Sequence, residues 1–186
     1  CQQIAEKEPN NPQIRYLLFE QALQARDDAG MEQALKEIEQ VAGQGAYWLY
    51  GQAVRLTLQA KDQKGPSPML DQALKYLAQA RELRQSWSRI PLLMAGIYDQ
   101  EGKADLALKN YLEAIEMGEH NPGAVRRTVQ LLFQKQRYAE ASQLLRQLEK
   151  QQMLFSPALN RASAEVALRQ GEFDRALEMA RKAAAE

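Results

Sequence analysis

The chain of 186 residues has one cysteine, one histidine and no surplus of either charge. A single cysteine, Cys1, excludes an intrachain disulfide. The lone histidine, His120 in the turn "GEHNPG", supplies neither a metal cluster nor a proton relay, both of which need several converging groups. Lys plus Arg and Asp plus Glu both number 24. That balance argues against a dedicated nucleic-acid or anionic-membrane binder. The longest apolar run is "IPLLMAGIY" at 90–98, far short of the roughly 20 residues a membrane helix needs. A phosphate-cradling G-x-x-x-x-G-K loop is missing, since "EGKADL" has one glycine and follows no strand pattern. β-Branched residues are scarce and period-two alternation is absent, which excludes a sheet. What is there, 45% apolar and 26% charged residues, is the composition of a folded chain.

A start at Cys1 has two readings. One is a mature bacterial lipoprotein whose first residue carries the lipid, placing it in the periplasm or at the outer membrane. The favoured one is a piece of a longer, cytoplasmic protein. Residues 4–12, "IAEKEPNNP", then read as the last turn of a helix and its stop, so 1–11 is the tail of a preceding helix.

Recurrence organises the rest. "LDQALKYLAQA", "ADLALKNYLEAI", "YAEASQLLRQL" and "FDRALEMARKA" are variants of one amphipathic pattern. Aligning the small residues Ala34, Ala73, Ala107, Ala141 and Ala176 gives spacings of 39, 34, 34 and 35. The long interval holds "KDQKGPSP" at 61–68, a loop composition that tolerates insertion. Each period carries two segments with apolar residues at helical spacing. Asn11-Pro12, Ser67-Pro68, Asn121-Pro122 and Ser156-Pro157 put a capping side chain before a proline at the first helical position. Gly30, Gly102 and Gly171 are expected between paired helices, as turn residues with positive φ. These signals predict an all-α chain with ten helices, at about 12–26, 31–42, 45–60, 68–84, 87–101, 104–117, 122–135, 138–151, 157–170 and 173–185. "ARDDAG" at 25–30 reads as extra residues between the first two.

The residues resemble the tetratricopeptide repeat. Ala95, Tyr98, Gly102, Ala107, Tyr111 and Ala114 follow that family's order of small, aromatic and turn residues, with Ala104 in place of the turn aromatic. Ala164, Gly171, Phe173, Ala176, Ala180 and Ala183 repeat the series. Tyr138 and Ala141 fit a looser copy in which Val129 and Gln136 replace the small residue and the glycine. The resemblance implies one α-solenoid domain of antiparallel helix hairpins over 12–186, wound as a right-handed superhelix. Its repeats would span about 12–44, 45–86, 87–121, 122–155 and 156–186.

The resemblance also implies a mode of action: no catalysis or cofactor, and a partner peptide or protein held on the concave face formed by the first helix of each hairpin. The matching positions are Trp48, Gln52, Arg55, Arg89, Leu92, Asp99, Arg126, Gln130, Arg161, Glu165 and Arg169. Arg126, Arg161 and Arg169 form a basic track suited to an acidic partner; the alternative is that they pair with Asp99, Glu165 and neighbouring acids. The lysines and asparagines with which the family clamps a C-terminal carboxylate are missing here. Tyr98, Tyr111, Tyr138 and Phe173 are expected to be packing residues. In "GAYWLYG" at 45–51, Trp48 either caps the core around the inserted loop or stands exposed as an anchor. The acids Glu113, Glu116 and Glu119 read as a solvated face. Two other roles stay open: a spacer that self-associates through the ends of the solenoid, and a membrane-tethered assembly factor if Cys1 is lipidated.

Overall fold

The structure is a computed structural model, and it describes residues 10–60, 67–151, 153 and 155–184. The helix tail and lipid site expected within 1–9, and most of the inserted loop, lie outside the described residues. Among those residues the secondary structure is helical throughout, in ten helices. They are α1 (Pro12–Ala25), α2 (Asp28–Ala42), α3 (Ala46–Gln59), α4 (Pro68–Leu83) and α5 (Arg89–Gln100). The others are α6 (Ala104–Glu116), α7 (Pro122–Gln134), α8 (Tyr138–Lys150), α9 (Pro157–Arg169) and α10 (Phe173–Ala184). The chain forms two compact units that divide between Lys103 and Ala104. The first therefore holds α1–α5 and the second α6–α10.

All four capping pairs act as their chemistry demands. The side chains of Asn11, Ser67 and Ser156 accept from the backbone N–H groups of Gln13, Met69 and Leu159, and Asn121 accepts from both Gly123 and Ala124. Each proline then occupies the first turn. Substituting such a cap by alanine costs about 1 kcal/mol.

Five of the turns between helices close in one way. A left-handed residue ends the helix, and the next residue's N–H donates to the carbonyl five positions back. Those bonds are Asp27 to Ala22, Lys103 to Tyr98, Glu119 to Ala114, Arg137 to Leu132 and Glu172 to Ala167, all at 2.8–2.9 Å. The left-handed residues are Arg26, Gly102, Gly118, Gln136 and Gly171. Here the first turn corrects the expectation for Gly30. Arg26, with φ +56°, is its left-handed residue, and Gly30 lies inside α2, which begins at Asp28 rather than 31. Asp27 caps that helix by accepting from the Gly30 N–H at 3.0 Å. A Cβ on Gly30 would meet the Asp27 Oδ2 at 2.4 Å, so this glycine serves the cap and not the turn.

Within the first unit, α1 packs on α2, α3 on α4, and each second helix on the next first helix. The first helices also touch one another, α1 to α3 and α3 to α5. The second unit repeats the scheme with α7 on α8, α9 on α10, and α7 against α9. Small residues set the approach: Ala73, Ala107 and Ala141 are fully buried and Ala34 nearly so. In α3 the same requirement falls on Gly51, where a Cβ would meet Leu35 Cδ2 at 2.3 Å.

One open alternative is decided and one packing expectation changes. Trp48 is buried and meets the Tyr76 ring of α4 edge-on at 5.8 Å, so it belongs to the core and is no exposed anchor. Phe173, expected to pack, is 68% exposed. Its counterpart one repeat earlier, Tyr138, packs edge-on against Phe133 at 5.2 Å. The residue that follows Phe133 by 35 positions is Leu168, itself 57% exposed, and no ring closes over Phe173.

Gln136 adopts φ +57°, a conformation costing a non-glycine residue roughly 1–2 kcal/mol. Gln136→Gly is therefore expected to raise the melting temperature by roughly 2–4 °C, the shift about 1 kcal/mol gives at this size. A thermal unfolding curve checks this, and an unchanged or lower midpoint would contradict the strain assigned to this turn.

Candidate functional site

In the first unit the predicted arginines are already engaged. Arg55 on α3 donates from Nε and Nη2 to the Asp28 carboxylate at 3.1 Å each and lies 3.4 Å from Glu32. Both acids belong to α2, so Arg55 faces the neighbouring second helix. Lys36 and then Arg55 hold the Glu32 carboxyl below the usual range. Arg89 at the start of α5 donates to the Tyr16 hydroxyl at 2.9 Å and pairs with Glu20. Gln52, Leu92 and Asp99 are half-buried. None of these five presents a free side chain like those of the second unit.

What sequence reasoning missed in this unit is a four-ring cluster. Trp87 lies 5.4 Å from Tyr16, 5.3 Å from Tyr47 and 4.8 Å from Tyr50. Arg84 stacks over the Tyr47 and Trp87 rings at 5.1 and 4.9 Å. The signal was available in "YWLY", whose alternate rings point to different helices. Trp48 turns to α4, while Tyr47 and Tyr50 turn to α1 and the start of α5. Burial, and next Tyr50, push the Tyr16 hydroxyl well above its ordinary pKa of 10.0.

The second unit differs. Arg126 and Gln130 on α7, and Arg161, Glu165 and Arg169 on α9, are all exposed. Arg161 follows Arg126 by 35 residues and Glu165 follows Gln130 by 35, so the repeat sets arginine against arginine and a carboxylate against an amide on the two first helices. Among the described residues Arg126 and Arg161 form no ion pair, and the expected pairing with Glu165 is not made. Arg169 lies over the Phe133 ring at 5.8 Å. Two nearby acids are taken elsewhere: Glu172, just before α10, binds Arg146 at 2.5 Å and Glu149 of α8 binds Arg175 at 2.7 Å.

Between α7 and α9 lies a recess of about 310 Å³, lined by Val129, Gln130, Phe133, Gln134, Ala162 and Glu165. Its floor is apolar and its rim carries amides and one carboxylate. Glu165 lies on its rim, Arg169 lies over its Phe133 wall, and Arg126 and Arg161 are exposed on the same two helices, a set with net positive charge. Such a surface attracts acidic ligands and can take a carboxylate in the guanidinium fork. His120 is remote in role, at an exposed turn within 3.1 Å of the Gln151 side chain.

No family model and no curated protein matches the sequence of this chain. Its fold, by contrast, has solved counterparts. PilF of Pseudomonas aeruginosa superposes with a TM-score of 0.69 at 15% identity, over 94% of this chain and 76% of that one. YrrB, described as a TPR protein with an unusual peptide-binding site, gives 0.61 at 14% identity, over 98% and 89%. This chain has the tetratricopeptide-repeat fold. Yeast Tom70 also matches, with a TM-score of 0.67 at 16% identity. There the tetratricopeptide-like chain is covered to 99% but spans only 38% of Tom70. No described helix of this repeat chain is long and apolar enough to cross a membrane.

The raised Tyr16 pKa sets an alkaline limit. An unfolded tyrosine ionises near 10.0 while the buried one stays protonated, so above that pH the unfolded state binds fewer protons and stability falls as pH rises. Tyr16→Phe is expected to be less stable at neutral pH by about 1 kcal/mol, through the lost Arg89 bond, but to lose less on going from pH 9 to 11. Parallel denaturant curves measure both; equal alkaline losses would exclude Tyr16 as the cause.

Proposed function

We propose that the chain is a non-catalytic protein-interaction scaffold, with residues 12–186 acting as one repeat domain and a partner peptide or protein held on the concave, first-helix face. The exposed, ion-pair-free Arg126 and Arg161 beside an apolar recess carry this reading. Cations with no acid of their own are the groups that gain most from an acidic partner, because nothing internal has to be given up first. The first unit's face, where Arg55 and Arg89 are satisfied internally, contributes less charge. The peptide-binding site described for YrrB makes such a use of this fold reasonable.

A second reading, self-association through an end of the solenoid, has one observation behind it. Leu168, Phe173 and Leu177 are 57%, 68% and 52% exposed and stand where the preceding repeat has Phe133, Tyr138 and the buried Ser142. That earlier face is closed by α9, so the later one is shaped to receive another helix.

Arg126→Glu combined with Arg161→Glu is expected to weaken retention on an immobilised glutamate-rich peptide at least about tenfold, with an unchanged helical dichroism spectrum. Retention equal to wild type would refute the basic-face reading. For the second reading, sedimentation of wild type and Phe173→Asp across a concentration range is decisive. A wild-type dimer that Phe173→Asp dissociates supports it, and a wild type that stays monomeric rejects it.

A further inference from the structure

We infer that the recess between α7 and α9 seats a single apolar side chain of the bound peptide, with acidic residues two positions before and after it. This deepens the acidic-partner reading above and depends on it. The recess lies where the two first helices differ in side-chain size. Ala162 follows Arg127 by 35 residues, so α9 carries a methyl group where α7 carries a long side chain. The gap beside it is walled by Phe133 and floored by Val129, which is 1% exposed. A volume of about 310 Å³ is at the lower limit for small-molecule sites, roughly 300–1,000 Å³. It suits one side chain better than a cofactor.

Charge then sets the register. Arg161, Glu165 and Arg169 follow one another at single turns along α9. Glu165 lines the recess and repels a carboxylate placed directly over it. Arg161 and Arg169 lie one turn to either side, and the Arg169 guanidinium lies over the Phe133 ring at 5.8 Å. The two arginines are eight residues apart, about 12 Å along the helix. An extended peptide covers that distance in about four residues. Acids four residues apart with an apolar residue midway put all three side chains on one face of an extended chain, since faces alternate with period two. The pattern is acid, any, apolar, any, acid, and it needs no chain terminus. Gln130 and Gln134 on the opposite rim offer amides to the peptide backbone.

The probe is the acetylated, amidated pentapeptide Glu-Ser-Leu-Ser-Glu, titrated into the full chain by NMR. Its controls are Glu-Ser-Ala-Ser-Glu and the reordered Ser-Glu-Leu-Glu-Ser. The leucine peptide is expected to bind at least about tenfold more tightly than either. Gln130→Phe, a rim change that fills the recess from an exposed position, should erase the advantage over alanine. Arg161→Glu with Arg169→Glu should weaken every peptide. If Gln130→Phe reduces helix content, Ala162→Val is read the same way. Arginine-dependent binding that is equal for all three peptides overturns the recess and its register, and leaves the acidic-face reading standing. No binding by any peptide overturns both.

Discussion

The structure depends on how closely two helices of a hairpin can approach. An amphipathic helix of a dozen residues buries its stripe only against neighbours on several sides, and the separation is set by the smallest side chain at each crossing. Ala73, Ala95, Ala107, Ala114 and Ala141 are all fully buried. Where α3 must meet both α1 and α2, even alanine is too large and the residue is Gly51. Inserting methylenes into such contacts costs typically 1–3 kcal/mol. The period near 34 is thus a packing constraint rewritten once per hairpin.

That constraint leaves the outward positions of the first helices unspecified, and the two units use the freedom differently. In the first unit, Arg55 and Arg89 tie hairpins together through Asp28, Glu32, Glu20 and Tyr16. The rings of Tyr16, Tyr47, Tyr50 and Trp87 fill the remaining space. In the second unit the bonds from Arg146 to Glu172 and from Arg175 to Glu149 join α8 to α10 and the turn before it. Arg126 and Arg161 are left over. A partly buried ion pair loses its partner at a cost, whereas an exposed unpaired guanidinium meets a new carboxylate with little to break.

The fold was largely legible because its signals are local. Caps at Asn11, Ser67, Asn121 and Ser156, together with helical periodicity, place nearly every helix end within two residues of where it lies. The failures were non-local or conformational. Gly30 looked like a turn glycine because a left-handed residue is usually glycine, yet Arg26 takes that conformation and α2 gains its first turn through Asp27. Trp48 and Phe173 could not be sorted by spacing alone, since burial is decided by what the neighbouring helices offer. Trp48 meets Tyr76 of its own hairpin, and Phe173 is exposed. The site was half legible: counting from the aligned alanines found Arg126, Gln130, Arg161, Glu165 and Arg169 on one exposed face. It did not distinguish them from Arg55 and Arg89, whose partners come from other helices. The recess beside Phe133 was not found at all.

That omission has a physical logic. Repeat alignment reads what is kept from copy to copy, and what is kept is packing. A surface that merely repeated would offer every hairpin the same contacts and so could not choose one ligand register over another. Selectivity has to come from a departure, and the change from Arg127 to Ala162 is such a departure on the first-helix face. It replaces a long cationic chain by a methyl group beside Phe133 and Val129. Arg126 and Arg161 repeat across the two first helices; where Ala162 replaces Arg127, the recess beside Phe133 is the place we propose for a partner's side chain.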